Sequence, residues 1–155
     1  MDKIRGFEVV SKYHEEAQLL QYPKRATKFS AGYDIFNNTG ADIVMEPGEI
    51  SLAITTKFKS YMQPDEYLAL FVRSGHGFKF SVRLANSTGI VDSDYYNNEK
   101  NEGEIFIKLH NQGHQTLVIK KGEAMAQAIF TKYLIADGDL SDSERTGGLG
   151  STSLS

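Results

Sequence analysis

Apolar positions along this chain fall in short runs rather than in helical stripes. Residues 50–59 (ISLAITTKFK) and 66–72 (EYLALFV) are alternating or continuous runs rich in β-branched and aromatic residues, the composition that fits a pleated, half-buried surface. Turn chemistry bounds each one: Glu46, Pro47 and Gly48 precede the first, and Gln63, Pro64 and Asp65 precede the second. Further runs follow at 105–109 (IFIKL), 116–120 (TLVIK) and 124–134 (AMAQAIFTKYL). The last also carries helix-forming Ala, Met and Leu, but Gly122 before it and Ile129, Phe130 and Thr131 within it favour a strand. Short strands at this spacing predict an all-β sandwich or barrel. Residues 12–22 (KYHEEAQLLQY) are the best helix candidate, stopped by Pro23, with a loop as the alternative. Residues 73–79 have room for one helical turn with Ser74 as its N-cap. From residue 136 onward the composition turns to Gly, Ser, Asp and Thr, so residues 1–135 read as the folded domain and 136–155 as a glycine-rich tail.

A chain of 155 residues suits one domain. It has no Cys, which excludes a disulfide framework, a thiolate metal site and a cysteine nucleophile, and points to an intracellular, cytoplasmic protein. The N-terminal MDKIRGFEVV scatters charges where a signal peptide would be apolar, and no stretch approaches the ~20 apolar residues of a membrane helix, so neither secretion nor membrane insertion is expected. Lys and Arg number 17 against 20 Asp and Glu, a formal charge of -3 that argues against a broad basic face for nucleic acid. Any anion site has to be built locally.

Candidate chemistry begins with GIVDSDYY at 89–96, where Asp92 and Asp94 lie one residue apart. In an extended backbone both point to one face, and two acids on one face repel unless a cation or a shared proton lies between them. The stretch reads either as a metal site or general base, or as a polar turn after a buried strand. Arg73, Ser74 and Gly75 place a guanidinium, a hydroxyl and an unhindered N–H at a strand end, which suits a phosphate clamp or an ordinary surface turn. Asp34 sits in AGYD at 31–34, a turn into a strand. Gln127, in GEAMAQ at 122–127, offers an amide to a ligand or is simply a polar residue at an exposed sheet edge. Arg145 followed by TGGLGSTS gathers a cation, unhindered N–H groups and hydroxyls, the ingredients of a phosphate nest or of a linker-like tail.

Taken together and in order, AGYD, RSG (73–75), GIVDSDY (89–95), GEAMAQ and RTGGLGST (145–152) resemble the five motifs of the trimeric dUTP pyrophosphatases, the dUTPases. Lys79 and the Leu84, Ala85, Asn86 triplet are placed as in that family too, and the resemblance spans residues 31–152. It implies a jelly-roll-like, distorted β-barrel assembled as a homotrimer, with 136–155 closing as an arm over a neighbouring subunit's site. It implies hydrolysis of dUTP to dUMP and pyrophosphate, which keeps uracil out of DNA and supplies dUMP for thymidylate synthesis. Asp92 matches the catalytic base for water. Asp34 matches the acid that holds Mg²⁺ through water, the ion resting mainly on the substrate phosphates. Tyr95 matches the floor beneath the deoxyribose, and Asn86 with the backbone from Gly89 to Val91 matches the uracil-reading segment. Arg73, Ser74, Gly75 and Gln127 match phosphate-binding positions. Arg145, Leu149, Gly150, Ser151 and Thr152 match the closing arm, with Arg145 on the γ-phosphate.

The chain departs from the family pattern at four places. Leu149 stands where Phe usually stacks on uracil, keeping apolar cover but losing the π-face. Only one residue separates Arg145 from the glycine pair where many members have two, and Ala124 replaces a commonly basic residue. Residues 96–104 form an acidic insert to which the family pattern assigns no role. Two other readings share these motifs: a dCTP deaminase of the same fold, and a regulatory binding protein switched by nucleotide and engaging a partner protein.

Overall fold

The computed structural model describes residues 2–149. Among these residues thirteen strands carry the fold: β1 (Gly6–Val9), β2 (Lys24–Arg25), β3 (Tyr33–Phe36), β4 (Ile43–Met45), β5 (Ile54–Thr55), β6 (Phe58–Tyr61), β7 (Glu66–Phe71), β8 (Val82–Leu84), β9 (Gly89–Asp92), β10 (Phe106–Ile107), β11 (Leu109–Asn111), β12 (Leu117–Ile119) and β13 (Ala124–Lys132). All pair antiparallel. Five make one sheet in the order β2-β3-β13-β7-β9, and the rest form the ribbons β1–β6, β5–β10, β8–β11 and β4–β12. This is the all-β architecture expected from the short apolar runs, in the jelly-roll-like form that the family resemblance implies.

Alternation along the strands sorts side chains between a buried and an open face. Leu68 and Leu70 of β7, Val91 of β9, Ala126 and Ala128 of β13 and Ile35 of β3 turn inward. There they meet Met45, Ile107, Leu109, Leu117 and Ile119 from the ribbons. Two buried asparagines fasten the β4–β12 ribbon to its surroundings. Asn37 Nδ2 donates to the carbonyls of Ala41 and Ile119, and Asn111 Nδ2 donates to those of Met45 and Gln115, so neither amide is left unsatisfied in the core.

Most of the run 124–134 is a strand, β13, which at nine residues is the longest among the described residues and pairs with β3 on one side and β7 on the other. Helical structure differs from expectation in two places. Residues Ser11–Leu19 form a 3-10 helix with no buried residue, lacking the apolar stripe that would hold a longer α-helix on the core. The single α-helix among the described residues, α1, spans Ser74–Phe80, so Ser74 is its first residue and Arg73 its N-cap, without a side-chain cap bond. Arg73 is extended at φ -75° and ψ 145°, leaving β7 directly, and the chain turns helical one residue earlier than a Ser74 cap would require. Ser81 closes α1 in the left-handed region at φ 53°.

The N-terminal segment is held by a carboxylate at the start of β7. Glu66, 3% exposed, accepts from Arg5 Nε and Nη2 and from the Gln63 N–H. The Arg5 hydrogen bonds hold its carboxyl below the ordinary value of 4.5, against the opposing effect of burial. A lowered folded value means that the charged form stabilises the fold above pH 4.5 and loses that contribution as pH falls through the folded value. Glu66→Gln is therefore expected to lower Tm at pH 7, with the gap to wild type closing as pH drops below 4.5; calorimetry from about pH 3 to about pH 7 checks this, and a constant gap contradicts it.

Candidate active site

Among the described residues β9 has a neighbour on one side only, β7. A strand at a sheet edge presents a row of backbone N–H and C=O groups without ladder partners. Against this strand lies a cavity of about 170 Å³ lined by Leu70, Asn86, Gly89 to Asp92, Tyr95 and Ile105, and roofed by Arg145, Gly148 and Leu149 of the C-terminal arm. Gly89 is required here by packing. A Cβ at that position would stand 2.9 Å from Leu70 Cβ and Cδ1, inside contact distance.

The two acids of the central motif do not share an extended strand. Asp92 ends β9, whereas Asp94 lies in the 3-10 turn Ser93–Tyr95 that follows. They converge all the same, because one guanidinium binds both. Arg145 Nη2 donates to Asp92 Oδ2 at 2.5 Å and Nε donates to Asp94 Oδ1 at 2.7 Å. The carboxylates are half exposed, while the arginine side chain is only 10% exposed, its guanidinium carbon 5.9 Å from the centroid of the Tyr95 ring. Asp94 is thus a second anchor for the arm. The structure places Arg145 on the acids rather than beside Arg73 and Gln127.

Tyr95 is buried beneath the cavity. Its hydroxyl donates to the Glu104 carbonyl at 2.6 Å and accepts from Asn101 Nδ2 at 2.8 Å. Burial holds the phenol above its ordinary value of 10.0, so it stays a neutral donor. Both partners come from the 96–104 insert, which folds on itself. Asn97 N–H donates to the Glu102 carbonyl, Glu102 N–H to that of Asn98, and Glu104 N–H to that of Asn101, with positive φ at Asn97, Glu102 and Gly103. A side chain at Gly103 would strike the Tyr95 carbonyl at 2.7 Å. Two of the insert's three acids face backwards: Glu104, 1% exposed, accepts from Lys12, Tyr13 and Thr55, and Glu102 from Lys59 and Ser11. The segment to which the motifs assign no role is the support on which Tyr95 rests.

A second cluster forms where β3, β13 and the start of α1 meet: Asp34, Arg73, Ser74, Gln127 and Gly32 line one concave surface. Arg73 Nε lies 3.0 Å from Asp34 Oδ1. Gln127 belongs to the central strand rather than to an exposed edge, and its Nε2 donates to the Val72 carbonyl at 3.0 Å. Its Oε1 lies 2.3 Å from where a Cβ on Gly32 would be, so glycine in the first motif makes room for the amide of the fourth. Ser74 and Gly75 open α1, where first-turn N–H groups have no intrahelical acceptor. Burial, and then the charge of Arg73, hold the neighbouring His76 below its ordinary value of 6.5, so it adds no second cation at neutral pH.

The two clusters share one face of the sheet but stand apart on it. Gln127 is opposite Phe71 and Asp92 opposite Tyr67, four residues along and two strands across, about 16 Å between Cα atoms at ~3.3 Å per residue and ~4.8 Å per strand. Gly150, Ser151 and Thr152 of the arm lie outside the described residues. Asn101 belongs to none of the five motifs; its signal in the sequence is a dense Asn and Gly stretch directly after Tyr95, which favours left-handed turns.

The dUTPase family model matches residues 19–153. Over 152 residues the chain is 47% identical to the deoxyuridine 5'-triphosphate nucleotidohydrolase of Lactococcus lactis, covering 97% of this chain and 98% of that protein. A crystal structure of dUTPase from Streptococcus mutans superposes with a TM-score of 0.72 at 40% identity, covering 86% of this chain and 99% of the other. A mutant dUTPase from phage phi11 of S. aureus, described with a coordinated structural Mg(II) ion, shares the fold at a TM-score of 0.67 and 20% identity, covering 91% of this chain and 98% of the other.

The two close-packed glycines are expected to respond differently. Gly89→Ala forces a clash with the fixed Cβ of Leu70 and lowers stability by about 1–3 kcal/mol in urea unfolding. Gly32→Ala meets the Gln127 amide, which has to shift and give up its bond to the Val72 carbonyl, and lowers stability in urea less, by about 0.5–1 kcal/mol. Equal losses at both positions would contradict this assignment of the contacts.

Proposed function

The chain belongs to the dUTPase family and is a dUTP diphosphatase, and from that premise we propose how its residues divide the hydrolysis of dUTP to dUMP and pyrophosphate. The observation that carries the reading is a carboxylate, Asp92, at the rim of a cavity walled by an open strand edge and floored by a buried tyrosine. The alternating N–H and C=O groups of Gly89 to Val91, with Asn86, pair with the edge of uracil. Tyr95 carries the deoxyribose, and its hydroxyl, fixed by two hydrogen bonds, leaves the ring no room to yield to a 2′-hydroxyl.

Asp92 orients a water and takes its proton as the oxygen bonds to the α-phosphorus and the bond to the bridging oxygen of the β-phosphate breaks. Positioned general bases supply about 10²–10⁴-fold in rate. Asp92 begins this task bound to Arg145, and substrate phosphates compete for the same guanidinium. Transfer of Arg145 to the γ-phosphate frees the carboxylate for water, so arrival of a complete triphosphate and activation of the base become one event. Gly150, Ser151 and Thr152 extend the arm's contacts to the phosphates.

Arg73, Ser74, Gly75 and Gln127 grip the phosphate chain. No group of three or more His, Asp or Glu side chains among the described residues is arranged to hold a metal ion. Asp34, on the concave surface it shares with Arg73, Ser74 and Gln127, would reach through water a Mg²⁺ carried mainly by the phosphates. When bound, the ion supplies charge neutralisation and polarisation of the α-phosphate.

The separation of about 16 Å is too wide for one chain's Asp92 and Gln127 to serve neighbouring phosphorus atoms. A homotrimer in which the phosphate cluster of one subunit faces the nucleoside cavity of the next removes this difficulty. The arm that roofs its own cavity in the isolated chain makes the same contacts in exchange, as domain swapping preserves them. We place the protein in the cytoplasm, where it limits uracil in DNA and supplies dUMP; no helix among the described residues is long and apolar enough to cross a membrane. The deaminase alternative is not favoured, and the regulatory reading gains no observation of its own.

Pyrophosphate release from dUTP with Mg²⁺ tests the proposal. Asp92→Asn is expected to lower kcat by about 10²–10⁴-fold with KM changed little. Undiminished turnover removes Asp92 from the role of base, and an inactive wild type overturns the functional reading. Leu149→Phe restores an aromatic face over the cavity and is expected to lower KM by about two- to tenfold; unchanged steady-state constants would leave stacking without a role here.

A further inference from the structure

The amide of Asn101 touches two parts of the site at once. Its Nδ2 donates to the Tyr95 hydroxyl at 2.8 Å. From the other side, a Cβ on Gly148 of the arm would stand 3.0 Å from that same nitrogen and 3.2 Å from Cγ, so the arm's backbone lies flat against the amide. The amide has little freedom to turn away, since its Oδ1 accepts from Asn98 Nδ2 at 2.7 Å and from the Gly103 N–H at 3.1 Å. Asn98 is itself buried and donates to the Tyr95 carbonyl, so the loop grips both ends of the tyrosine.

We propose that Asn101 is a positioning residue that couples seating of the arm to the sugar-contacting tyrosine, and thereby sets discrimination between deoxyribo- and ribonucleoside triphosphates. The inference rests on the function proposed above. With the arm down, Gly148 backs the amide, the amide orients the Tyr95 hydroxyl, and the ring cannot tilt to admit a 2′-hydroxyl. With the arm lifted, only the loop's own hydrogen bonds to Oδ1 hold the amide, its Nδ2 side is unbacked, and the ring gains room. Selectivity then belongs to the closed site rather than to the open cavity. Gly148 is glycine because any side chain would push on the residue that transmits this contact.

The test is a comparison of kcat/KM for dUTP and for UTP in the full-length protein, with Asn101→Ala, Gly148→Ala and Tyr95→Phe, singly and in pairs. Asn101→Ala is expected to reduce the dUTP/UTP ratio by about three- to tenfold, the size that one neutral hydrogen bond supports. The loss should appear mainly as a gain of activity on UTP. Gly148→Ala should move the ratio in the same direction. In the Tyr95→Phe background, which has no hydroxyl for the amide to hold, neither substitution should change the ratio by more than about twofold. A general collapse of the insert would act equally in both backgrounds, so equal losses overturn the proposal, as does an unchanged ratio in Asn101→Ala. A wild type that releases no pyrophosphate from dUTP instead overturns the functional reading itself.

Discussion

Because side chains alternate across a strand, the register of β13 between β3 and β7 governs where the chemistry points. Ala126 and Ala128 turn into the core and Gln127 turns out. A slip of one residue would bury the amide and expose both alanines, carrying an unsatisfied polar group inward and apolar surface outward. The bulge between Ala124 and Ala126 keeps Phe36 buried at the far end of the pairing while holding Gln127 opposite Asp34. The same pairing sets β7, and through it the depth of β9. The placement of Asp92 and the approach of Gly32 to Gln127 follow from one set of backbone hydrogen bonds.

Charge is the second organising force, and it acts locally. A chain of net charge -3 that handles a polyanion cannot rely on its overall field. It holds Arg73 and Arg145 against carboxylates, Asp34 in one cluster and Asp92 with Asp94 in the other. Each guanidinium is thereby oriented in advance, and the paired acids are kept from repelling one another. In the function proposed above, the substrate's phosphates would replace these internal partners, so that the mostly buried Arg145 guanidinium would exchange one set of anions for another.

Much of this is legible in the sequence, for reasons that differ by element. The strands show as short alternating runs because their pattern is local, and β13 is separable from a helix by Gly122 and its β-branched tail. The motif residues are recognisable because glycines and acids recur in a fixed order. The start of α1 differs by one residue from expectation, since Ser74 looks like a cap and only the extended backbone of Arg73 shows otherwise. The insert is opaque because its meaning is held by long-range partners. Nothing near Glu104 in sequence announces Lys12, Tyr13 or Thr55, and nothing near Glu102 announces Lys59. Asp94 is ambiguous for the same reason, its partner lying 51 residues away.

The open edge of β9 has one further consequence. A row of backbone donors and acceptors open to a ligand is equally open to another strand, and exposed edges of this kind seed aggregation. The protein confines the risk in several ways: the strand is four residues long, it ends in an acid, and a 3-10 turn bends the chain away immediately afterwards. Arg145, Gly148 and Leu149 lie over what remains. The arm proposed above to cover a nucleotide therefore has a second effect in the structure, since it shields this edge from pairing with another chain.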